Sequence, residues 1–474
     1  MLFNTYQFAI FFAILFPVYW LLRRWTRLQN VLLLGAGYYF YACWNPRFLA
    51  LLVISTAMDY ACGLWVDRAE APRRRRAIVA ASMAMNLGML GYFKYFNFFA
   101  GSLQAALARL GLVVPLAHLN VVLPIGISFY TFQSMSYVID VFRRDLKPTR
   151  NFIQFATFVS FFPHLVAGPI MRPTSLLPQV AAPRRFHLQQ LSDGSYLIFW
   201  GLVKKVVVAD NLALIVDDLF GRWPTLDGGS ALMAVYAFAF QIYGDFSGYT
   251  DMARGIAKCL GFELSLNFNL PYFATSPKDF WNRWHISLSH WLRDYLYITL
   301  GGNRGGRLRV ARNLMLTMIL GGLWHGAAWT YVAWGFYHGL WLVLHRLATP
   351  WLQRVQPVDP VDRTCWKAVR ILVTFHLVCL GWLLFRAGSI EQALGMLATI
   401  VQRPAIPPAT RLIPVLCVVV PLMAVQMAQY ASKDLNVIAR TPWYVRSVFY
   451  TTCFYAIVLG GAFESGKQFI YFQF

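Results

Sequence analysis

WNRWHISLSHWLRDYLYITLGGNRGG, running from Trp281 to Gly306, packs three Trp, two His and three Arg into a chain that is otherwise very apolar. A second stretch, GGLWHGAAWTYVAWGFYHGLW (Gly321–Trp341), sets His325 inside a hydrophobic run. An ionisable group is costly in lipid, so a chain that keeps one there marks a functional site by default.

Composition identifies the solvent. The 474 residues are 58% hydrophobic and 13% charged, with a mean hydropathy of +0.49. A soluble domain carries about a quarter charged residues. Only helices or closed barrels satisfy their backbones in lipid. Strand-like alternation is absent, which leaves a polytopic all-α membrane protein. The net charge of +22 does not point to nucleic acid, because the basic residues cluster between apolar runs, as orienting loops do. Arg23, Arg24 and Arg27 close the first run, Arg73 to Arg76 separate the third from the fourth, and Arg143, Arg144 and Lys147 close the fifth. With these clusters cytoplasmic, the N-terminus is expected outside the cytoplasm. The first run reads as a retained span, not a removed signal. The seven cysteines are scattered without a C-x-x-C pair, and no histidine spacing suits a metal.

A span needs about 20 apolar residues. The runs suggest about eleven spans plus interfacial or re-entrant pieces, including Val121–Phe142, Phe152–Val166, Leu197–Ala209, Ala231–Tyr243, Asn313–Thr330 and Tyr331–His345. The chain reads as one membrane domain, 1–474. Polar motifs concentrate in a core of about 121–346, flanked by plainer scaffold helices over 1–120 and 366–474. No internal repeat marks it as two matched halves.

His325 is the first candidate for chemistry. If a helix opens at Asn313 after the basic run Arg304, Arg307, Arg309 and Arg312, His325 lies roughly 18 Å along it, near the middle of a hydrocarbon core about 30 Å thick. Gly321, Gly322 and Gly326 would admit a slender substrate, and Trp324 would wall off lipid. The residues alone leave two readings open, a general base for a hydroxyl or thiol or a structural imidazole bonded to a neighbouring helix. His285, with Arg283 before it and His290 after it, sits on a broken interfacial segment, where Trp281, Trp284 and Trp291 suit a headgroup-level belt. Asp245 and Tyr249 share a helical face in QIYGDFSGYTDMARG (241–255), as a support for a histidine or as a structural polar knot. Asp251 and Arg254 are spaced to pair. GGNRGG (301–306) is a weak phosphate motif or a tight turn. His164, in FFPHLVAGPI, stands where Pro163 and Gly168 break an apolar run.

Taken in order, LPIGISFYTFQSMSYVIDVFR (123–143), FFPHLVAGPI (161–170), QIYGDFSGYTDMARG, NFNLPYFATSPKDFWNRWHISLSHWLRDYLYITLGGNRGG (267–306) and NLMLTMILGGLWHGAAWTYVAWGFYHG (313–339) resemble the membrane-bound O-acyltransferase family. The nearest likeness is to its bacterial branch of alginate O-acetyltransferase membrane subunits. The resemblance implies a ring of helices, thin at its centre and pierced by a tunnel. It also implies His325 as catalytic base and His285 as the second catalytic position. Asp245, Tyr249, Trp324, Arg283 and His290 become tunnel or support residues. The donor implied is cytosolic acetyl-CoA, with no tightly bound cofactor and no metal. Lys278, Arg304 and Arg307 are expected to attract its phosphates. The acetyl group would cross the bacterial inner membrane to a periplasmic SGNH or esterase-like partner beside a polysaccharide synthase and secretion complex. Gly244 departs from the pattern, since a larger residue is common there, so details of substrate read from that loop are open. A transporter or flippase of a glycan or lipid-linked precursor, and a non-catalytic anchor, are the competing readings.

Overall fold

The computed structural model describes residues 1–355, 357, 359–463 and 470. The end of the expected scaffold, 464–469 and 471–474, lies outside them. Among the described residues the regular structure is helical, with no strand. The chain divides into two compact units, Met1–Ile198 with Met252–Ser265, and Phe199–Asp251 with Leu266–Phe474.

The first unit begins with α1 (Tyr6–Leu21), α2 (Thr26–Ala42), α3 (Leu49–Arg68), α4 (Pro72–Leu90) and α5 (Phe96–Arg109). It continues with α6 (Ile127–Arg143), α7 (Phe152–Ser160), α8 (Phe162–Leu165) and α9 (Pro173–Ala181). Local chemistry sets the ends. Thr5 Oγ1 accepts from Phe8 N to open α1. Pro72 opens α4, where it forfeits no helical N–H. A π turn, Gly91–Tyr95, joins α4 to α5. Close packing depends on glycine: a methyl at Gly37 would strike the Ser160 carbonyl, and one at Gly63 the Tyr137 ring. The apolar run Phe152–Val166 is not one helix. It breaks at Phe161 (φ −60°, ψ 102°), just ahead of Pro163. His164 is buried there, with Nε2 2.8 Å from Gln133 Oε1. Asp59 is fully buried and accepts from Ser82 Oγ at 2.6 Å and Asn86 Nδ2 at 2.9 Å.

The second unit takes the end of α10 (Leu188–Leu202), a π segment (Val203–Ala209), α11 (Asp210–Gly221) and most of α12 (Gly228–Cys259). The short α13 (Pro277–Trp281) and α14 (Ile286–Trp291) precede α15 (Arg307–His325), α16 (Trp329–Arg354) and α17 (Pro360–Arg386). Then come α18 (Ile390–Gln402), α19 (Ala409–Ser432), α20 (Val437–Arg440) and α21 (Trp443–Gly460). The π segment carries two lysines into the interior. Lys205 Nζ lies 2.8 Å from Asp210 Oδ1 and 2.7 Å from Asp245 Oδ1. Lys204 Nζ lies 2.6 Å from Asp251 Oδ2. Pairing of this kind offsets part of the desolvation cost of buried charges.

Among the described residues, four helical stretches are long and apolar enough to cross a membrane: Pro46–Arg68, Pro72–Arg109, Pro360–Arg386 and Ala409–Ser432. Tyr6–Leu21 is apolar but shorter. Helices α12, α15 and α16 are 32, 19 and 26 residues long. They carry Asp245, Asp251, His325 and His338, the polar residues that lower a hydropathy average.

Candidate active site

Helix α15 begins at Arg307, six residues before the expected Asn313, and ends at His325 instead of running on to Thr330. The reason is local. Gly326 is extended (φ −160°, ψ 151°), and a methyl there would strike the Tyr331 ring. Ala328, also extended, starts α16. Gly322 and Gly335 leave no room for a side chain between the helices, facing the carbonyls of Tyr331 and Met318. This hairpin places the His325 imidazole at a helix C-terminus, where the macrodipole favours positive charge. His325 is 5% exposed. Trp324 and Trp334 each stand 5.1 Å from it, centroid to centroid, and Phe385 stands 5.3 Å away.

His285 arrives from the other expected segment. It lies between α13 and α14 and has a left-handed backbone, φ +44° and ψ 52°. Non-glycine residues pay of order 1–3 kcal/mol for such sparsely populated conformations, which persist where surroundings impose them. Here the surroundings are the segment Asn267–Asn269. Asn267 O accepts from Ile286 N at 3.0 Å, and Asn269 N donates to Arg283 O at 2.9 Å. The His285 ring is fully buried, with Nδ1 3.1 Å from Asn267 Oδ1 and Phe246 edge-on at 4.6 Å. Burial on this short, non-spanning segment pushes the imidazole down to about 3 and holds it neutral. The rings of His285 and His325, forty residues apart in sequence, have centroids 6.4 Å apart, with Trp324 6.0 Å from His285.

A cavity of about 200 Å³ leads to His325. Its lining includes His290, Tyr297 and Trp334, together with the exposed Lys278 and Arg293. It therefore joins solvent-facing cations to a buried imidazole. Arg293 is held by Asp294 at 2.6 Å. A groove of about 340 Å³ elsewhere, lined by His345 and Arg370, touches neither His285 nor His325.

The other expected residues fall into two groups. Trp324 and His290 stand at the histidines or the cavity, and Lys278 stands at its open side. Arg304 and Arg307 are exposed and do not line it. Arg283 holds the α13 turn, with Nε 2.7 Å from Asp279 Oδ1 and Nη1 3.2 Å from Asn269 O. Asp245 meets Lys205 at 2.7 Å and also accepts from Ile470 N at 2.6 Å, so it ties Ile470 to α12. Tyr249 is buried one turn further along α12. Sequence reasoning passed over Asn267, Lys204 and Lys205. The lysines did leave a signal, since LVKKVVVAD (202–210) puts two cations in an apolar run that then demands carboxylates.

The fold and site thus define a class, an all-helical integral membrane protein with two neighbouring buried imidazoles, one of them reached by a cation-edged cavity. The family model for membrane-bound O-acyltransferases matches residues 141–385. A probable alginate O-acetylase of Pseudomonas syringae is 44% identical over 394 residues, covering 82% of this chain and 73% of that protein. A peptidoglycan O-acetyltransferase of Helicobacter pylori is 35% identical over 430 residues, covering 84% and 79%. A teichoic acid D-alanyltransferase of Bacillus subtilis is 30% identical over 278 residues, covering 56% and 69%. The chain belongs to the membrane-bound O-acyltransferase family and is an O-acyltransferase.

Proposed function

We propose that the protein takes an acetyl group from cytosolic acetyl-CoA and passes it across the bacterial inner membrane for O-acetylation of a secreted, alginate-like polysaccharide. The observation that carries this reading is the cavity joining exposed Lys278 and Arg293 to buried His325. The phosphates of CoA would rest on the cations, with the thioester reaching inward. His325 removes the proton of the attacking hydroxyl as its oxygen bonds to the carbonyl carbon. The carbon–sulfur bond then breaks, and the thiolate takes the proton back. The helix end beneath His325 favours the intermediate imidazolium. The aromatic wall of Trp324, Trp334 and Phe385 excludes the water that would hydrolyse the thioester. His285, its ring 6.4 Å from that of His325, is the second catalytic position. An SGNH or esterase-like periplasmic protein would receive the acetyl group beside a polysaccharide synthase and secretion complex. The relatives named for alginate and peptidoglycan O-acetylation support a polymer acceptor.

Membranes supplied with labelled acetyl-CoA test it. A general base contributes roughly 10²–10⁴-fold, so His325→Ala at normal abundance is expected to lower label transfer to polymer by that factor. Movement of unmodified glycan without consumption of acetyl-CoA would favour a transporter and overturn the reading.

A further inference from the structure

The oxygen that holds His285 also determines where its proton sits. Asn267 Oδ1 receives Ser287 N at 3.2 Å and Ser287 Oγ at 2.9 Å, and it lies 3.1 Å from His285 Nδ1. A backbone N–H can only donate, so the Asn267 atom facing Ser287 N has to be the oxygen, and the amide orientation follows. An amide oxygen can only accept, so the imidazole nitrogen beside it carries a hydrogen. Neutral His285 therefore has Nδ1–H and a bare lone pair on Nε2.

Two further observations show that this arrangement is built for the oxygen. His285 opens α14 without a side-chain cap of its own. Asn267 Oδ1 takes over that duty through the Ser287 N–H. The other end of the amide gains nothing, because Asn267 Nδ2 is buried and has no hydrogen-bond partner among the described residues. A buried donor left without a partner costs about 1–3 kcal/mol. An aspartate would present the same acceptor without that cost, but its charge would draw a second proton onto the imidazole.

We infer that Asn267 is a positioning residue that sets His285 in its Nδ1–H tautomer while keeping the pocket neutral, so that Nε2 enters the reaction as a hydrogen-bond acceptor. This rests on the reading of His285 as a catalytic position. In that tautomer Nε2 can receive a bond from an attacking hydroxyl and cannot polarise the thioester carbonyl by donation. The titratable ring facing His285 is His325, on the end of α15. Phe246 and Trp324, which also pack against it, are uncharged.

Two measurements test the assignment. In protein labelled with ¹⁵N-histidine, the resonances lost in His285→Gln are those of His285. They are expected to show a protonated Nδ1 and a bare Nε2, and the reverse pattern overturns the inference whatever His285 does in catalysis. The pH profile of acetyl transfer is then compared for wild type and Asn267→Asp. An anion at this distance raises a neighbour's pKa by about one to three units. The variant is expected to reach normal abundance and, because an imidazole raised from about 3 to about 4–6 stays mostly neutral at pH 7, to keep most of its transfer there while its acid limb moves to higher pH. An acid limb that does not move contradicts the positioning role. His285→Ala separates the two failures: full transfer in that variant sinks the catalytic reading of His285, whereas loss of transfer beside an unshifted Asn267→Asp profile sinks the inference alone.

Discussion

Two polar centres lie in the unit built from Phe199–Asp251 and Leu266–Phe474, and they treat burial in opposite ways. Around Lys204 and Lys205 every charge meets an opposite charge: Lys205 has Asp210 and Asp245, and Lys204 has Asp251. At the histidines the neighbouring rings are aromatic and uncharged. Two imidazoles face each other at 6.4 Å inside a wall of tryptophan and phenylalanine, and a cavity reaches one of them. The first centre has its electrostatics closed within the protein. The second keeps room for groups that arrive from outside. Burial and polarity do not separate structure from function here, but access and charge balance do.

Breaking each centre should therefore have different consequences. The largest effect is expected from Lys205→Ala, which strands two carboxylates. Removing one partner of a buried pair costs about 3–5 kcal/mol, so the variant should be lost from membranes or unfold at much lower temperature, as thermal aggregation after detergent extraction would show. Next, the double variant His285→Ala/His325→Ala should transfer acetyl hardly less well than the worse single variant, because residues that act as a unit are non-additive. Multiplied losses in a transfer assay would mean that the two rings act independently. A smaller effect, about 1–3 kcal/mol of stability from overpacking, is expected of Gly335→Ala, whose new methyl would lie 2.9 Å from Ile319 Cα. The smallest belongs to the cations. Lys278→Ala removes about 1 kcal/mol of screened attraction, which should raise KM for acetyl-CoA about fivefold, less at high salt. Arg307→Ala, off the cavity, should leave KM within about twofold.

Much of this was legible in the chain. The apolar composition and interspersed basic clusters indicate a helical membrane protein, and the two tryptophan-rich segments contain both histidines of the site. What was not legible depends on long-range geometry. Periodicity carries an apolar pattern through His325 toward Thr330. The helix stops because Gly326 packs under Tyr331, a contact no local rule shows. Asp245 and Asp251 also meet lysines that their own segment gives no sign of. Their lysine partners lie some forty residues earlier on a π segment, whose wider turn aims adjacent lysines inward. Asn267 carries no motif of its own and acquires meaning only once His285 folds against it.

In the proposed reaction His325 does chemistry in a place where the fold does not need it to hold together. This is tested most directly by the rate of labelled acetyl transfer per folded molecule in membranes carrying His325→Ala or Lys205→Ala. His325→Ala is expected to keep wild-type abundance and thermal stability while losing about 10²–10⁴-fold of the rate, and any Lys205→Ala protein surviving folded is expected to lose far less per molecule. A His325→Ala protein that transfers acetyl at the wild-type rate per folded molecule would contradict it.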